Sequence, residues 1–265
     1  MTKLDYGTQI SPDPIVLSIG RIKKPTLRDI SKVTFDKFSF YEFLTKMTPE
    51  EYYTKLLEIN GGQEQWDNLS IDAQSQLTIY DCIVKDKQLQ DMYVELLNFF
   101  FIENVIYVEG FFILLKEGCE NIKAENLNEN DICGLLAKEN LSEVFCLIQQ
   151  ICGIYAEEVN TDGMKFKTQR AKWLFERMQK GNKPKKEKAD KNLTLPNIIS
   201  AICNKHPSLT YTNIWDITLY QLLDAFSRMQ NNLIYDLNST RVSVWGDEKK
   251  TFDVSLWYKN IYDGK

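Results

Sequence analysis

Trp215, Leu219, Leu222, Phe226, Met229 and Leu233 fall at spacings of four, three, four, three and four in the stretch Asn213-Ile-Trp-Asp-Ile-Thr-Leu-Tyr-Gln-Leu-Leu-Asp-Ala-Phe226 and its continuation. That rhythm is the narrow apolar seam of a helix packed against another helix. It sits within a longer segment, Asn192 to Tyr258, that opens at Leu193-Thr194-Leu195-Pro196 and closes on Val244-Trp245-Gly246 and Leu256-Trp257-Tyr258. The segment reads as two helices followed by a small β element over Arg241 to Tyr258. No other stretch of the chain is so long and so sharply patterned.

Working outward, the segment is preceded by a basic strap. Lys165 to Lys191 holds eleven basic and three acidic residues, a local charge of +8 in a chain of net charge -5, which leaves -13 for everything else. Lys165 to Lys180 can be helical, with Phe166, Trp173, Leu174 and Phe175 as apolar cover. Gly181-Asn182-Lys183-Pro184-Lys185-Lys186 breaks it. This composition marks a linker and a domain boundary. The expected layout is a mainly helical N-terminal domain over 1–180, a basic linker over 181–191 and a helical C-terminal unit over 192–265.

The N-terminal part carries signals for many short elements. Ile15 to Ile22, broken by Gly20, suits a strand or the start of a hairpin, and Pro25-Thr26 is placed to begin a short helix. Phe35, Phe38, Phe40, Tyr41, Phe43 and Leu44 suit a helix docking into a core. Thr48-Pro49-Glu50-Glu51 is a capping box that starts a helix, and Asn60-Gly61-Gly62 ends it. Helices are expected over Ser70 to Val84 and over Asp86 to Phe101, the second with Leu89, Met92, Tyr93, Leu96, Leu97 and Phe100 on one face. Val105–Val108 and Phe111–Leu115 around Glu109-Gly110 predict a β-hairpin, with a continued buried helix as the alternative. Two further helices are expected over Asn128 to Ala137 and Ser142 to Ile154, each capped by its first residue. The fold class is therefore mainly α: a multi-helix globular body with one or two small β-hairpins and a helical C-terminal unit.

Six cysteines without a CxxC pair, mostly beside apolar neighbours, suit buried reduced thiols in a cytoplasmic protein. The first residues lack the apolar run of a signal peptide. The most apolar stretch, Leu96 to Leu115, is interrupted by Glu103 and Glu109, which argues against a membrane span.

The catalytic inventory is sparse. A single histidine, His206, lies in a predicted loop between the two C-terminal helices, where it serves as a loop or cap residue. Zinc and iron sites need several converging imidazole or thiolate ligands, and a Ser–His or Cys–His pair would have to use this one ring. Neither GxGxxG nor GxxxxGK[ST] occurs, so no phosphate cradle is signalled. The expectation is a non-enzyme with no cofactor and no metal. The basic strap supplies anion-contacting candidates in Lys183, Lys185, Lys186 and Lys188. With Trp173 and its neighbours these could track a nucleic-acid backbone, although lysines coating a helix or keeping a linker extended account for them as well. Trp215, Leu222 and Phe226 are the candidate partner-contacting residues, with core packing as their alternative role.

One resemblance bears on function. Lys191 to Ile199, Asn213 to Phe226, the ending Val244-Trp245-Gly246 with Phe252-Asp253 and Leu256-Trp257-Tyr258, and the early Ile19-Gly20 to Ile30 together resemble proteins of tailed-phage and prophage morphogenesis clusters of Gram-positive bacteria. These are similar to tail assembly chaperones. The resemblance implies a non-enzymatic protein in the cytoplasm of the bacterial host. Such a protein holds the long hydrophobic helices of a tape-measure protein soluble while the tail tube assembles. The rival readings are a structural tail or neck component of the virion and a nucleic-acid-binding protein using 165–191.

Overall fold

The computed structural model describes residues 3–119, 127–154, 192–248 and 250–260. Among them the chain is mainly helical, with two small antiparallel sheets. The basic strap, with Lys183, Lys185, Lys186 and Lys188, and the helix expected over Lys165 to Lys180 lie outside the described residues.

A short helix α1 (Tyr6–Ile10) leads into the hairpin β1 (Ile15–Leu17) and β2 (Gly20–Ile22), as the broken apolar run predicts. Helix α2 (Leu27–Val33) starts on a Thr26–Asp29 capping box, and α3 (Phe35–Lys46) turns Phe38, Tyr41 and Leu44 into the core. The aromatic cluster is thus a docked helix face, as its sequence suggests.

The next region departs from simple helices. Thr48 and Glu51 form the expected capping box for α4 (Pro49–Glu51), but the chain then widens into a π turn over Tyr52–Leu56 and a 3-10 turn over Glu58–Asn60. Gly61 takes φ 71° and Gly62 presses against the Tyr53 carbonyl, where a Cβ would come within 2.0 Å. The two glycines let α5 (Gly62–Asp67) fold back onto the turn it follows. The single helix expected over Ser70 to Val84 is two: α6 (Ile71–Gln76) and α7 (Ile79–Lys85). Thr78 and Asp81 build a capping box between them, and Leu77 is extended, so the chain restarts a helix mid-pattern.

Helix α8 (Lys87–Phe100) is the central element. Asp86 caps it, and Leu89, Tyr93, Leu96, Leu97, Phe99 and Phe100 are buried. The Tyr93 hydroxyl donates to the Leu44 carbonyl at 2.8 Å, and its ring stacks on Phe145 at 5.4 Å. Strands β3 (Asn104–Val108) and β4 (Phe111–Leu115) follow as the predicted hairpin. Glu109 and Gly110 both have positive φ, 48° and 95°, the requirement of a type I′ two-residue turn. The β3 edge is closed by Asn98, whose side chain accepts from the Val105 N–H and donates to its carbonyl.

Residues 128–137 are not the expected helix. Asn128 caps only a 3-10 turn over Glu129–Asp131, and the chain continues as β5 (Ile132–Leu136) on the free edge of β4. Tertiary pairing overrides the local signal, and a glycine makes the fit: a Cβ on Gly134 would lie 1.9 Å from the Ile19 carbonyl oxygen. Helix α9 (Lys138–Ile151) consequently begins four residues ahead of Ser142, with the Asn140 side chain accepting from the Ala137 N–H.

The hairpin β1–β2 is pinned to the end of α8. Glu103 accepts from the Arg21 backbone N–H and from its Nε, each at 2.8 Å, while Arg21 also reaches Glu117. Burial pushes the Glu103 carboxyl up, but the Arg21 bonds prevail and hold it below its usual range.

After the strap come α10 (Leu195–Lys205) and α11 (Leu219–Trp245), the two expected helices. The β element expected over Arg241 to Tyr258 is replaced. Residues 241–245 complete α11, which Gly246 stops at φ 76°, and the chain beyond runs in turns. Asp247 accepts from the Thr251 and Phe252 N–H groups and rolls the backbone away from an extended course. The C-terminal helices share the core of the body: Ile199, Ile202, Ile214, Leu219 and Leu222 join one cluster with Ile22, Leu27 and Phe38. The N-caps of α2 and α11 meet back to back, with the Leu27 N–H donating to Ile217 and the Leu219 N–H to Pro25.

Candidate partner-binding groove

Helix α11 is started by a Thr218–Gln221 capping box, and the Gln221 amide then donates to the Ile10 carbonyl at 2.8 Å. The cap therefore also ties α11 to α1. At 100° per residue, Leu219, Leu222, Phe226, Met229 and Leu233 lie within about 40° of one line along the helix. Cover along that line falls steadily. Leu219 and Leu222 are buried, Phe226 and Met229 pack half-buried against the core, and Leu233 is half-exposed.

Helix α10 runs beside α11 in the same direction. Leu195 and Ile198 flank Leu219 and Leu223, whereas Lys205, His206 and Pro207 flank the middle of α11. Between the end of α10 and that middle lies a groove of about 540 Å³, to which α11 contributes Ala225, Met229 and Leu233 interleaved with Asp224, Arg228, Asn232 and Asp236. A lining that mixes apolar side chains with charges of both signs can meet both the apolar and the polar side of an amphipathic helix. His206 ends α10 as a cap residue, and its Nδ1 accepts from the Leu209 N–H at 3.1 Å and the Ser208 N–H at 3.3 Å. The ring shapes the wall of the groove.

The three residues singled out from the sequence are not presented together. Leu222 is fully buried. Trp215 lies in a 3-10 turn before α11, its Nε1 donating to the Tyr211 carbonyl at 2.9 Å. Phe226 is half-buried against the core, and of the three it stands nearest the open part of the seam. Met229 and Leu233 are the groove residues that the pattern contained but did not separate from the core positions, because periodicity gives a face and not its depth.

A second cleft, about 550 Å³, lies between α3, α10 and the start of α11 and is lined by Phe35, Glu42, Cys152, Leu195, Ile198 and Leu223. Burial pushes the Glu42 carboxyl up, with Lys46 opposing. Burial also raises the Cys152 thiol well above its ordinary value, and that of Cys82 up to about 11. Thiols raised this way stay protonated and are not activated nucleophiles. None of the six cysteines is in a disulfide. Among the described residues no group of His, Cys, Asp or Glu is arranged to hold a metal, and no helix is long and apolar enough to cross a membrane.

Neither curated proteins nor solved structures give a match to the chain. Residues 183–262 match the family model described as the YomV second domain, and YomV is a Bacillus phage or prophage protein. The match begins within the basic strap and takes in α10, the groove and the whole of α11, so the groove belongs to a segment similar to a phage-protein domain.

Proposed function

We propose that this is a non-enzymatic phage protein that binds helices of a partner, acting as a tail assembly chaperone for a tape-measure protein in the host cytoplasm. The observation that carries the reading is the groove between α10 and α11. It continues a core seam into the open, is lined in part by Ala225, Met229 and Leu233, and falls within the segment similar to the YomV second domain. An amphipathic helix of a tape-measure protein would lay its apolar side on Ala225, Met229 and Leu233 while Lys205 and Asp236 face its polar flanks.

The test is co-purification of the full chain with helical fragments of a tape-measure protein encoded beside it. Binding that keeps a fragment in solution supports the reading, and Met229→Glu should weaken it at least tenfold, about 1.4 kcal/mol. A chain that neither binds nor solubilises any fragment ends the proposal.

A further inference from the structure

The chain has a single histidine, and it stands at the groove. His206 follows the last residue of α10. Its Nδ1 accepts from the Leu209 N–H at 3.1 Å and the Ser208 N–H at 3.3 Å, with the Ser208 hydroxyl at 3.4 Å. These bonds hold the bend Pro207-Ser208-Leu209 against the helix end, and Leu209 packs half-buried on the core. The rest of the connection is tied by Asn213, which accepts from the Thr210 N–H and donates to the Ser208 carbonyl, each at 2.8 Å. The imidazole therefore fixes the start of the connection, and this start supplies His206 and Pro207 to the groove wall.

A nitrogen that accepts from two N–H groups has to present a lone pair to them. The neutral ring does so when its proton is on Nε2. The imidazolium carries a proton on both nitrogens and accepts nothing. Turning the ring over would put a carbon in place of Nδ1, which accepts nothing either. The protonated ring and the bend exclude each other.

The surroundings nonetheless favour a proton. His206 lies at the carbonyl end of α10, where a cation is stabilised. The ionisable groups that share the groove with it are Lys205 on its own helix and Asp224, Arg228 and Asp236 on α11. Asp224 and Arg228 answer each other at 3.7 Å, and Lys205 and Asp236 are of opposite sign. With these charges balanced, the helix end tips the site toward the imidazolium, while the bend requires the neutral ring.

We propose that His206 is a pH-sensitive latch: neutral, it closes the bend and sets the groove wall, and protonated, it releases both. Histidine is the side chain suited to this near neutrality, so acidification opens the latch. The consequence for binding rests on the partner-helix reading of the groove; the opening of the bend does not.

Amide hydrogen exchange on the full chain, expressed as protection factors at about pH 7.5 and about pH 5.5, tests the bend alone. Protection of the Leu209 amide should fall about tenfold on acidification. His206→Asn supplies an oxygen that can accept from the same N–H groups without titrating, so its Leu209 protection should not change between the two conditions. In His206→Ala protection should be low in both. Glu42, whose carboxyl burial pushes up, lines the second cleft and would act alike in all three proteins. The proposal is overturned by a wild-type Leu209 amide equally protected in both conditions, or by a fall in either variant as large as in the wild type. A His206→Ala chain protected like the wild type near pH 7.5 overturns it as well. Binding of a tape-measure fragment should weaken about fivefold over the same step in the wild type and not in His206→Asn. A fragment held equally in both conditions would remove the groove from the proposal. If no fragment binds at all, the chaperone reading fails, and the exchange result still decides whether the latch exists.

Discussion

The first and second halves of α11 are one helix with one apolar line and two different supports. From Leu219 to Met229 the line is covered by α10 and by the core of the body, while α1 ties down the helix start. From Leu237 to Val244 the same line is exposed, and among the described residues the chain that returns past Phe252 packs on the opposite face. Periodicity is equally good in both halves. What differs is tertiary cover, and cover decides whether an apolar side chain contributes to the stability of the single chain. The groove between α10 and α11 lies at the junction, which is where a surface can be apolar without being sealed.

The contrast is sharpest at Leu222. It is fully buried among residues of both the body and the C-terminal helices, so Leu222→Ala should cost about 2–5 kcal/mol of global stability. Chemical denaturation of the single chain measures it; a cost below about 1 kcal/mol would mean that the first half of α11 is no better supported than the second. A smaller effect belongs to the start of the helix. Thr218 is buried, caps α11 and touches the capped start of α2, so Thr218→Ala should cost about 1 kcal/mol, seen as a lowered denaturation midpoint at unchanged slope.

Much of this architecture was legible because its signals are local. The capping boxes at Thr26 and Thr48, the type I′ turn at Glu109-Gly110 and the face of α8 each need only a few neighbouring residues to be recognised. The misreadings have a common cause in distant contacts. Ile132–Leu136 becomes a strand because β4 offers an edge and Gly134 lets Ile19 approach, neither of which local pattern reveals. Arg241 to Trp245 is rich in β-branched and aromatic residues, yet it finishes α11, with no strand beside it to pair with among the described residues. At the site, the seam was visible but its depth was not. Leu222 and Phe226 sit on one line, and only the position of α10 shows that the first is sealed and that Met229 and Leu233 line the groove.

The smallest expected effect is the most discriminating. Leu237→Ala removes an apolar side chain of the same type as Leu222→Ala, four turns further along the same line. It should change stability by no more than about 0.5 kcal/mol, because a side chain 73% exposed loses little burial and leaves no cavity. Hydrogen exchange read on the same helix should agree: amides near Leu222 open only with global unfolding, whereas those from Leu237 to Val244 open by local fraying at lower free energy. A large global cost for Leu237→Ala would show that the second half of α11 is clamped by the single chain itself, and the difference between the two halves would vanish.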